Sequence, residues 1–219
     1  MVEIPTRFSS PSAQRTSSWI GRKPAANIWH AFNFAAEIGR PLTLFVTLNF
    51  SLTDCPPEVA TFKFRQIVET FTRWWRRPPR RSSIGSPGAF AYVWTAEAGG
   101  GQTGIHWVLH MPASRRADFA DRLRQWLETY AGNVQPGAID IRDADRPTGL
   151  RRYMLKGADP AYAAFCDIDF EDQGVVHGKR SGVSRSLQRA AREKASYRIN
   201  RQYRDRVARP EAVHAPGGP

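Results

Sequence analysis

Hydrophobic and polar residues alternate along PLTLFVTLNFS, residues 41–51, in the pattern of a half-buried β-strand. Leucine and valine recur at every second position, while Thr43, Thr47 and Asn49 fall between them and Phe45 interrupts the polar series. Successive side chains of a strand point to opposite faces of a sheet. One face of this strand is therefore predicted to be apolar and the other mostly polar.

A second alternating stretch predicts a β-hairpin closed by a glycine-rich turn. Phe90, Tyr92 and Trp94 alternate in its first strand, and three glycines at residues 99–101 make the turn. The second strand is GIHWVLHMP at residues 104–112, in which the large apolar side chains and the two histidines fall on opposite sides. The histidines are therefore expected to point away from the apolar core.

Apolar residues repeat with the 3.6-residue period of a helix in four other stretches. The pattern predicts helices over residues 25–38, from Pro57 to Trp75, from Ser114 to Tyr130 and from Pro147 to Gly157. Short strands are predicted at residues 138–141, 168–170 and 174–177. This order predicts an α+β fold in which a mainly antiparallel sheet has helices packed on one face. The other face would stay open, and the histidine side of the hairpin would line it.

The composition of the chain ends predicts three regions. Residues 1–22 are rich in Ser, Thr and Pro, as is typical of a flexible lead-in; residues 23–183 form one domain, and residues 184–219 form a basic helical arm with a disordered end. No apolar run is long enough to cross a bilayer, and the first residues lack the apolar centre of a signal peptide. We therefore expect a cytoplasmic protein without a membrane partner, in which Cys55 and Cys166 stay reduced.

The net charge of +12 is concentrated near the carboxyl end of the chain. From His177 to Arg209, eleven lysines and arginines stand against two acidic residues, which gives this segment a charge of +9. Pairs within a helix cannot neutralise so one-sided a segment, which is typical of a protein that binds a polyanion. We predict nucleic-acid contacts for Lys179, Arg180, Arg185 and Arg189 in this segment, and for Arg76, Arg77, Arg80 and Arg81 in the basic stretch that follows Trp74 and Trp75.

Three stretches of the chain carry candidate chemistry: LTLFVTLNFS, TAEAGGGQTGIHWVLHMP and the helix sequence RRYMLKG, in which Tyr153 precedes Lys156 by three residues. In this order and with these spacings they resemble the three motifs of the HUH endonucleases, the rolling-circle replication initiator (Rep) proteins of plasmids and phages. The later stretch QGVVHGKRSGVSRS also looks like the region after the tyrosine helix in some proteobacterial Rep-like proteins. The resemblance covers about residues 40–185.

The resemblance implies a fold and an activity. The fold would be the RRM- or ferredoxin-like α+β fold of HUH proteins. Members of the family nick single-stranded DNA: a tyrosine hydroxyl attacks the scissile phosphate, which leaves a 5′-phosphotyrosyl link and a free 3′-OH. Tyr153 would be the nucleophile, and Lys156, on the same helical face, would contact the phosphate or favour the phenolate. Tyr162 lies beyond Pro160, so a one-tyrosine enzyme is expected.

The same resemblance implies a cofactor and partners. A phosphodiester is a poor electrophile because its anionic oxygens repel a nucleophile, so Mg²⁺ or Mn²⁺ is expected to neutralise and polarise it. The substrate would be single-stranded or origin DNA of a plasmid, phage or integrated element. A host helicase or other replication machinery would act together with the enzyme.

The metal motif departs from the family pattern, which is His-x-His. Residues two apart on a strand face the same way at about 6.6 Å, but here Gly104 takes the place of the first histidine and His106 that of the second. His110 lies four residues further along, about 13 Å away in a regular strand, and would share an ion with His106 only across a bulge. Glu97 is the other predicted ligand, with water or Gln102 completing the coordination of the ion.

Two other functions stay open at this point. If the loss of a histidine at Gly104 has degraded the metal site, the protein would be a catalytically inactive relative that binds DNA without cutting it. Antiparallel sheets with one open face also bind RNA, so an RNA-binding module is the second alternative.

Overall fold

The fold is α+β, as predicted, in a computed structural model that describes residues 15–77 and 88–198. None of the helices described is long and apolar enough to cross a membrane. The elements in chain order are β1 (Thr16–Ser17), α1 (Arg22–Glu37), β2 (Leu44–Asn49), α2 (Ala60–Trp75), β3 (Tyr92–Glu97), β4 (Gly104–Leu109), α3 (Arg116–Ala131), β5 (Ile139–Asp143), α4 (Pro147–Leu155), α5 (Pro160–Phe165), β6 (Val176–His177), β7 (Ser181–Val183) and α6 (Arg189–Lys194).

A five-stranded antiparallel sheet forms the centre of the protein, with the strand order β5-β2-β4-β3-β7. The predicted hairpin is confirmed, because β3 and β4 pair in antiparallel register across the glycine turn. Asp140, Thr47, His106 and Thr95 are consecutive partners across four neighbouring strands. Side chains in such a row point to the same face of the sheet, so this row fixes what surrounds His106.

The first face of the sheet is closed by the two long amphipathic helices α2 and α3. The ring of Trp107 lies 5.5 Å from that of Phe64 and 5.0 Å from that of Phe71 between centroids, both in edge-to-face geometry. Trp74 and Trp75 belong to the same core, as the helical period predicted. Most of the largest fully buried side chains among the described residues belong to the core on this face.

Helices also cover the second face, so the prediction of helices on one face only is wrong. Val93 and Val108 point to this face and are completely buried under α1 and the helices that follow β5. The physical reason is that the second face is apolar at one end, which must be covered, and polar at the other. The described residues leave only the polar end of this face open, beneath α4.

The segments near the chain ends also differ from expectation. No strand forms at residues 168–170, and the expected strand at residues 174–177 is reduced to β6, which pairs with β1 inside the predicted lead-in. The described part of the basic arm is packed and not free, since Arg192 is buried and donates to the Leu187 carbonyl at 2.6 Å. The rest of the arm, residues 199–219, lies outside the described residues.

Candidate active site

A pocket of about 640 Å³ lies between the polar end of the second sheet face and α4. β4 places His106 on its floor, and the end of β3 places Glu97 at one side. Tyr153 in α4 and Lys156, the residue that follows α4, lie above them. The strand alternation explains this placement, because Trp107, next to His106, points into the aromatic core on the first face.

Three predicted residues meet at one atom, Nε2 of His106. The Tyr153 hydroxyl lies 3.1 Å from it and Glu97 Oε1 lies 3.0 Å from it. On the other side of the ring, Nδ1 lies 3.3 Å from the Thr47 hydroxyl. His106 is only 4% exposed, whereas Tyr153 is 38% exposed, so the imidazole is held inside and the phenol faces the open pocket.

The tautomer of His106 decides which of these contacts can form. With its proton on Nε2, the ring donates to the Glu97 carboxylate and accepts from the Thr47 hydroxyl; with its proton on Nδ1, it donates to Thr47 and Nε2 presents a lone pair to the carboxylate. In the second tautomer a cation between the two groups would satisfy both, since two ligands at right angles about 2.1 Å from Mg²⁺ lie about 3 Å apart. Thr47 would then orient the ring, as partners of metal-binding histidines commonly do.

The donor set is nevertheless small. Within residues 15–77 and 88–198, no group of three or more histidine, cysteine, aspartate or glutamate side chains is arranged to hold an ion. His106 and Glu97 therefore fit a divalent ion held by two protein ligands, with oxygens of water or substrate for the remaining positions, as is usual for Mg²⁺.

Gly104 makes room for Glu97. The two residues are direct partners across β3 and β4. A Cβ atom added at Gly104 would lie 3.3 Å from both Cγ and Oε1 of Glu97, closer than ordinary contact. The glycine at the expected histidine position thus lets the carboxylate fold across the strand and reach His106.

Lys156 lies beside the nucleophile candidate and between two carboxylates. Its ammonium is 4.5 Å from the centre of the Tyr153 ring, 3.5 Å from Glu97 Oε2 and 3.1 Å from Glu171 Oε2. Burial lowers the pKa of Lys156, but the hydrogen bond to Glu171 and the negative charges around it outweigh this and raise the pKa overall. The side chain therefore stays cationic, with its charge held between the two carboxylates.

The pKa values of the Glu97 carboxyl group and the Tyr153 phenol are shifted in opposite directions. Burial alone would raise the pKa of Glu97, but its hydrogen bond to His106 and the charges of His106 and Lys156 lower it overall. The pKa of Tyr153 is raised by burial and by the Glu97 charge, against the lowering effect of Lys156. The free protein therefore holds an ionised Glu97 beside a neutral Tyr153.

His110 does not join this group. Its Nδ1 lies 2.8 Å from the Pro41 carbonyl, which can only accept, so the imidazole donates there. His110 sits beyond the end of β4, and it is not among the residues that line the pocket. The prediction of His110 as a metal ligand together with His106 is wrong, because β4 is regular here and no bulge shortens the distance between them.

The predicted nucleic-acid residues fall into different surroundings. Arg180 is 4% exposed, and its guanidinium donates to the carbonyls of Ser18, Gln173 and Gly174, so it is a structural residue and not a surface contact. Arg76 and Arg77 are exposed at the end of α2, on the opposite side of the sheet from the pocket. Lys179, Arg185 and Arg189 are exposed, none of them lines the pocket, and Arg80 and Arg81 lie outside the described residues.

The sequence reasoning missed several groups at the site. Thr47 and Asn49 were recognised only as part of the polar side of β2, and Glu171, which lies between two predicted strands, was given no role. The polar series in β2 was the signal for the first two. Glu171 gave no local signal, because it reaches Lys156 from an irregular segment that Arg180 and the Lys156 carbonyl hold in place.

No protein-family model matches the chain, and comparisons with curated proteins and with solved structures return no match.

Proposed function

We propose that this protein is a metal-dependent, single-tyrosine enzyme that nicks and joins single-stranded DNA and initiates rolling-circle replication of a plasmid, phage or integrated element. The observation that carries the proposal is the meeting of Tyr153 Oη and Glu97 Oε1 at His106 Nε2, in a pocket open to solvent. A specific HUH fold, with its RRM- or ferredoxin-like topology, is part of the proposal.

The chemical step is an exchange of two oxygens on one phosphorus. Tyr153 Oη forms a bond to the scissile phosphate, and the bond from phosphorus to the 3′ oxygen breaks. Tyr153 is 38% exposed, so its phenolic proton can pass to water. The departing 3′ oxygen takes up a proton from water. The phosphotyrosine link keeps the energy of the broken bond, so the reverse step rejoins the strand.

The residues around Tyr153 have separate tasks. His106 and Glu97 would hold a Mg²⁺ or Mn²⁺ ion, which when bound supplies positive charge against the phosphate oxygens. Lys156 contacts the phosphate and opposes the high pKa of Tyr153 through its charge. Thr47 keeps the His106 ring from turning, because it contacts Nδ1, the ring nitrogen opposite the one that Tyr153 and Glu97 contact.

Two observations favour a second candidate, a DNA-binding protein without nicking activity. In the described residues only two side chains fit an ion, and Glu171 already neutralises Lys156. An RNA-binding module has no observation of its own in its favour, because helices cover most of the second sheet face.

Covalent capture separates these candidates. The full chain is incubated with Mn²⁺ and a pool of single-stranded DNA fragments that includes the DNA surrounding its own gene, and adducts that survive denaturation are counted. Wild type is expected to form an adduct that Tyr153→Phe lacks. Tyr130→Phe is the matched control, because the Tyr130 hydroxyl contacts Thr70 beneath the first face.

The outcomes are distinct. An adduct that persists in Tyr153→Phe would assign the nucleophile elsewhere, and an adduct with RNA but not with DNA would turn the proposal toward RNA. Absence of an adduct from wild type, with DNA retained by the folded protein, would favour the second candidate.

A further inference from the structure

The pocket extends beyond the reactive group. Tyr153, His106 and Glu97 occupy one end, and the pocket continues across β2 to β5, where Asp140 and Arg142 form the far wall. Its volume of about 640 Å³ lies within the range of roughly 300–1,000 Å³ found for pockets that enclose an organic ligand. A phosphate group alone would leave most of this space unfilled.

The strand register fixes the distance to the far wall. Asp140 is the cross-strand partner of Thr47, and Thr47 is the partner of His106. Two strand spacings separate the wall from His106, which is about 10 Å. Asp140 and Arg142 are two residues apart and point to the same face. A base whose phosphate lies at Tyr153 can therefore reach them through its sugar.

The intervening surface suits a flat ring. Phe45, the cross-strand partner of Arg142, lies half-buried in the floor of the pocket, and Leu150 of α4 contributes to its lining. Both present apolar surface, and single-stranded nucleic acid binds by stacking its bases on such groups. The polar groups of the wall stand at the edge of this apolar space, where the edge of a stacked base would lie.

The wall offers a donor beside an acceptor. Arg142 Nε lies 2.7 Å from Asp140 Oδ2, and the two side chains are 72% and 42% exposed. An ion pair this exposed adds little to the stability of the fold. Both groups are therefore available to a ligand. A carboxylate accepts from the amino group of a base, and a guanidinium donates to a carbonyl oxygen. Guanine and cytosine carry both groups, whereas adenine lacks the carbonyl and thymine lacks the amino group.

We propose that Asp140 and Arg142 form a base-recognition subsite that prefers guanine or cytosine in the nucleotide whose phosphate Tyr153 attacks. This proposal rests on the proposed function for the identity of the ligand as single-stranded DNA. It adds a residue-level source of sequence preference to a site that otherwise contacts only phosphate.

Binding without cleavage tests the subsite. Fluorescein-labelled octamers of dT, with dG, dC or dA at one position in turn, are titrated with the full chain in EDTA and followed by fluorescence anisotropy. One position is expected to bind about tenfold more tightly with dG or dC than with dT or dA. Asp140→Asn and Arg142→Gln are each expected to remove this preference, so that octamers with dG, dC, dT or dA at that position bind a given variant equally well.

A matched pair of residues provides the control. Asp143 lies on the same strand as Asp140 but points to the opposite face, where it pairs with Arg116. Asp143→Asn and Arg116→Gln are expected to keep the preference. Equal affinities for all bases, a preference that survives in both subsite variants, or its loss in the control variants would each overturn the proposal.

The test of the base preference and the test of the nicking reaction can succeed or fail independently. A base preference without a covalent adduct would keep the subsite and reject the proposed chemistry. An adduct without a base preference would keep the chemistry and reject the subsite. Failure of every octamer to bind would overturn both.

Discussion

The two faces of the central sheet are built by the same strands and differ in almost every other respect. On β4, Trp107 points to the first face and is completely buried among the aromatic rings of α2 and α3. His106, one residue earlier, points to the second face and contacts Tyr153 and Glu97 under a short helix. The first face is closed by two long helices, while the second is closed only over its apolar end.

This difference separates stability from chemistry within one strand. Adjacent side chains of a strand point to opposite faces of the sheet. The packed apolar layer on the first face can therefore fix the position of the polar groups on the second face. Substitutions on the first face should therefore act mainly on the free energy of unfolding. Substitutions around the pocket should act mainly on binding and reaction.

Truncation of Trp107 is expected to have the largest effect. Trp107→Ala removes a fully buried ring from the centre of the aromatic core, which should lower the free energy of unfolding by about 3–5 kcal/mol. Tyr153→Ala truncates an aromatic side chain on the other face that is 38% exposed, and it should cost less than half as much. Urea denaturation measures both, and equal losses would remove the distinction between the faces.

The core of the second face contains a titratable group, which predicts a pH dependence. Burial, together with the charges of Arg192 and Arg151, lowers the pKa of His30 from 6.5 to about 4. Between these values the unfolded chain holds a proton that the folded protein lacks, so stability falls as the pH drops from about 6.5 to about 4. A shift of this size corresponds to a loss of about 3 kcal/mol.

Replacement of His30 isolates this contribution. His30→Gln removes the group that titrates, so its free energy of unfolding should fall less than that of wild type between pH 6.5 and pH 4. Chemical denaturation at a series of pH values provides the measurement. If the free energies of unfolding of the two proteins fell in parallel with pH, groups other than His30 would be responsible for the acid sensitivity.

The features that follow from side-chain periodicity could be predicted from the sequence, whereas the contacts between segments distant in the chain could not. Alternation in β4 placed Trp107 and His106 on opposite faces, and the spacing of Tyr153 and Lys156 predicted that the two share one helical face, which in the structure lines the pocket. The burial of Arg180 was invisible, because its acceptors are backbone carbonyls from segments far apart in the chain. An amphipathic helix also does not reveal which face of a sheet it covers, so α1 was not assigned to the second face.

Gly104 is the most specific departure from the expected motif, and its replacement gives the smallest of the predicted effects. In Gly104→Ala the added Cβ would stand 3.3 Å from Cγ and Oε1 of Glu97 and push the carboxylate away from His106. The rate of adduct formation should fall about tenfold, which is about 1.4 kcal/mol, with little change in stability. Gly149→Ala on α4, where a Cβ meets only Arg146 Cβ at 4.0 Å, is the control and should leave the rate unchanged.

A double-mutant cycle decides whether Glu97 is the reason for this effect. If the alanine at position 104 acts only by displacing the carboxylate, it can do no further harm once the carboxylate is gone. Gly104→Ala in a Glu97→Ala background should therefore leave the rate of the Glu97→Ala protein nearly unchanged, which is a strong departure from additivity. Additive losses would mean that Gly104 matters for another reason, such as close approach of the DNA backbone. The glycine would then be a feature of the substrate path and not the space that lets a carboxylate stand in for a histidine.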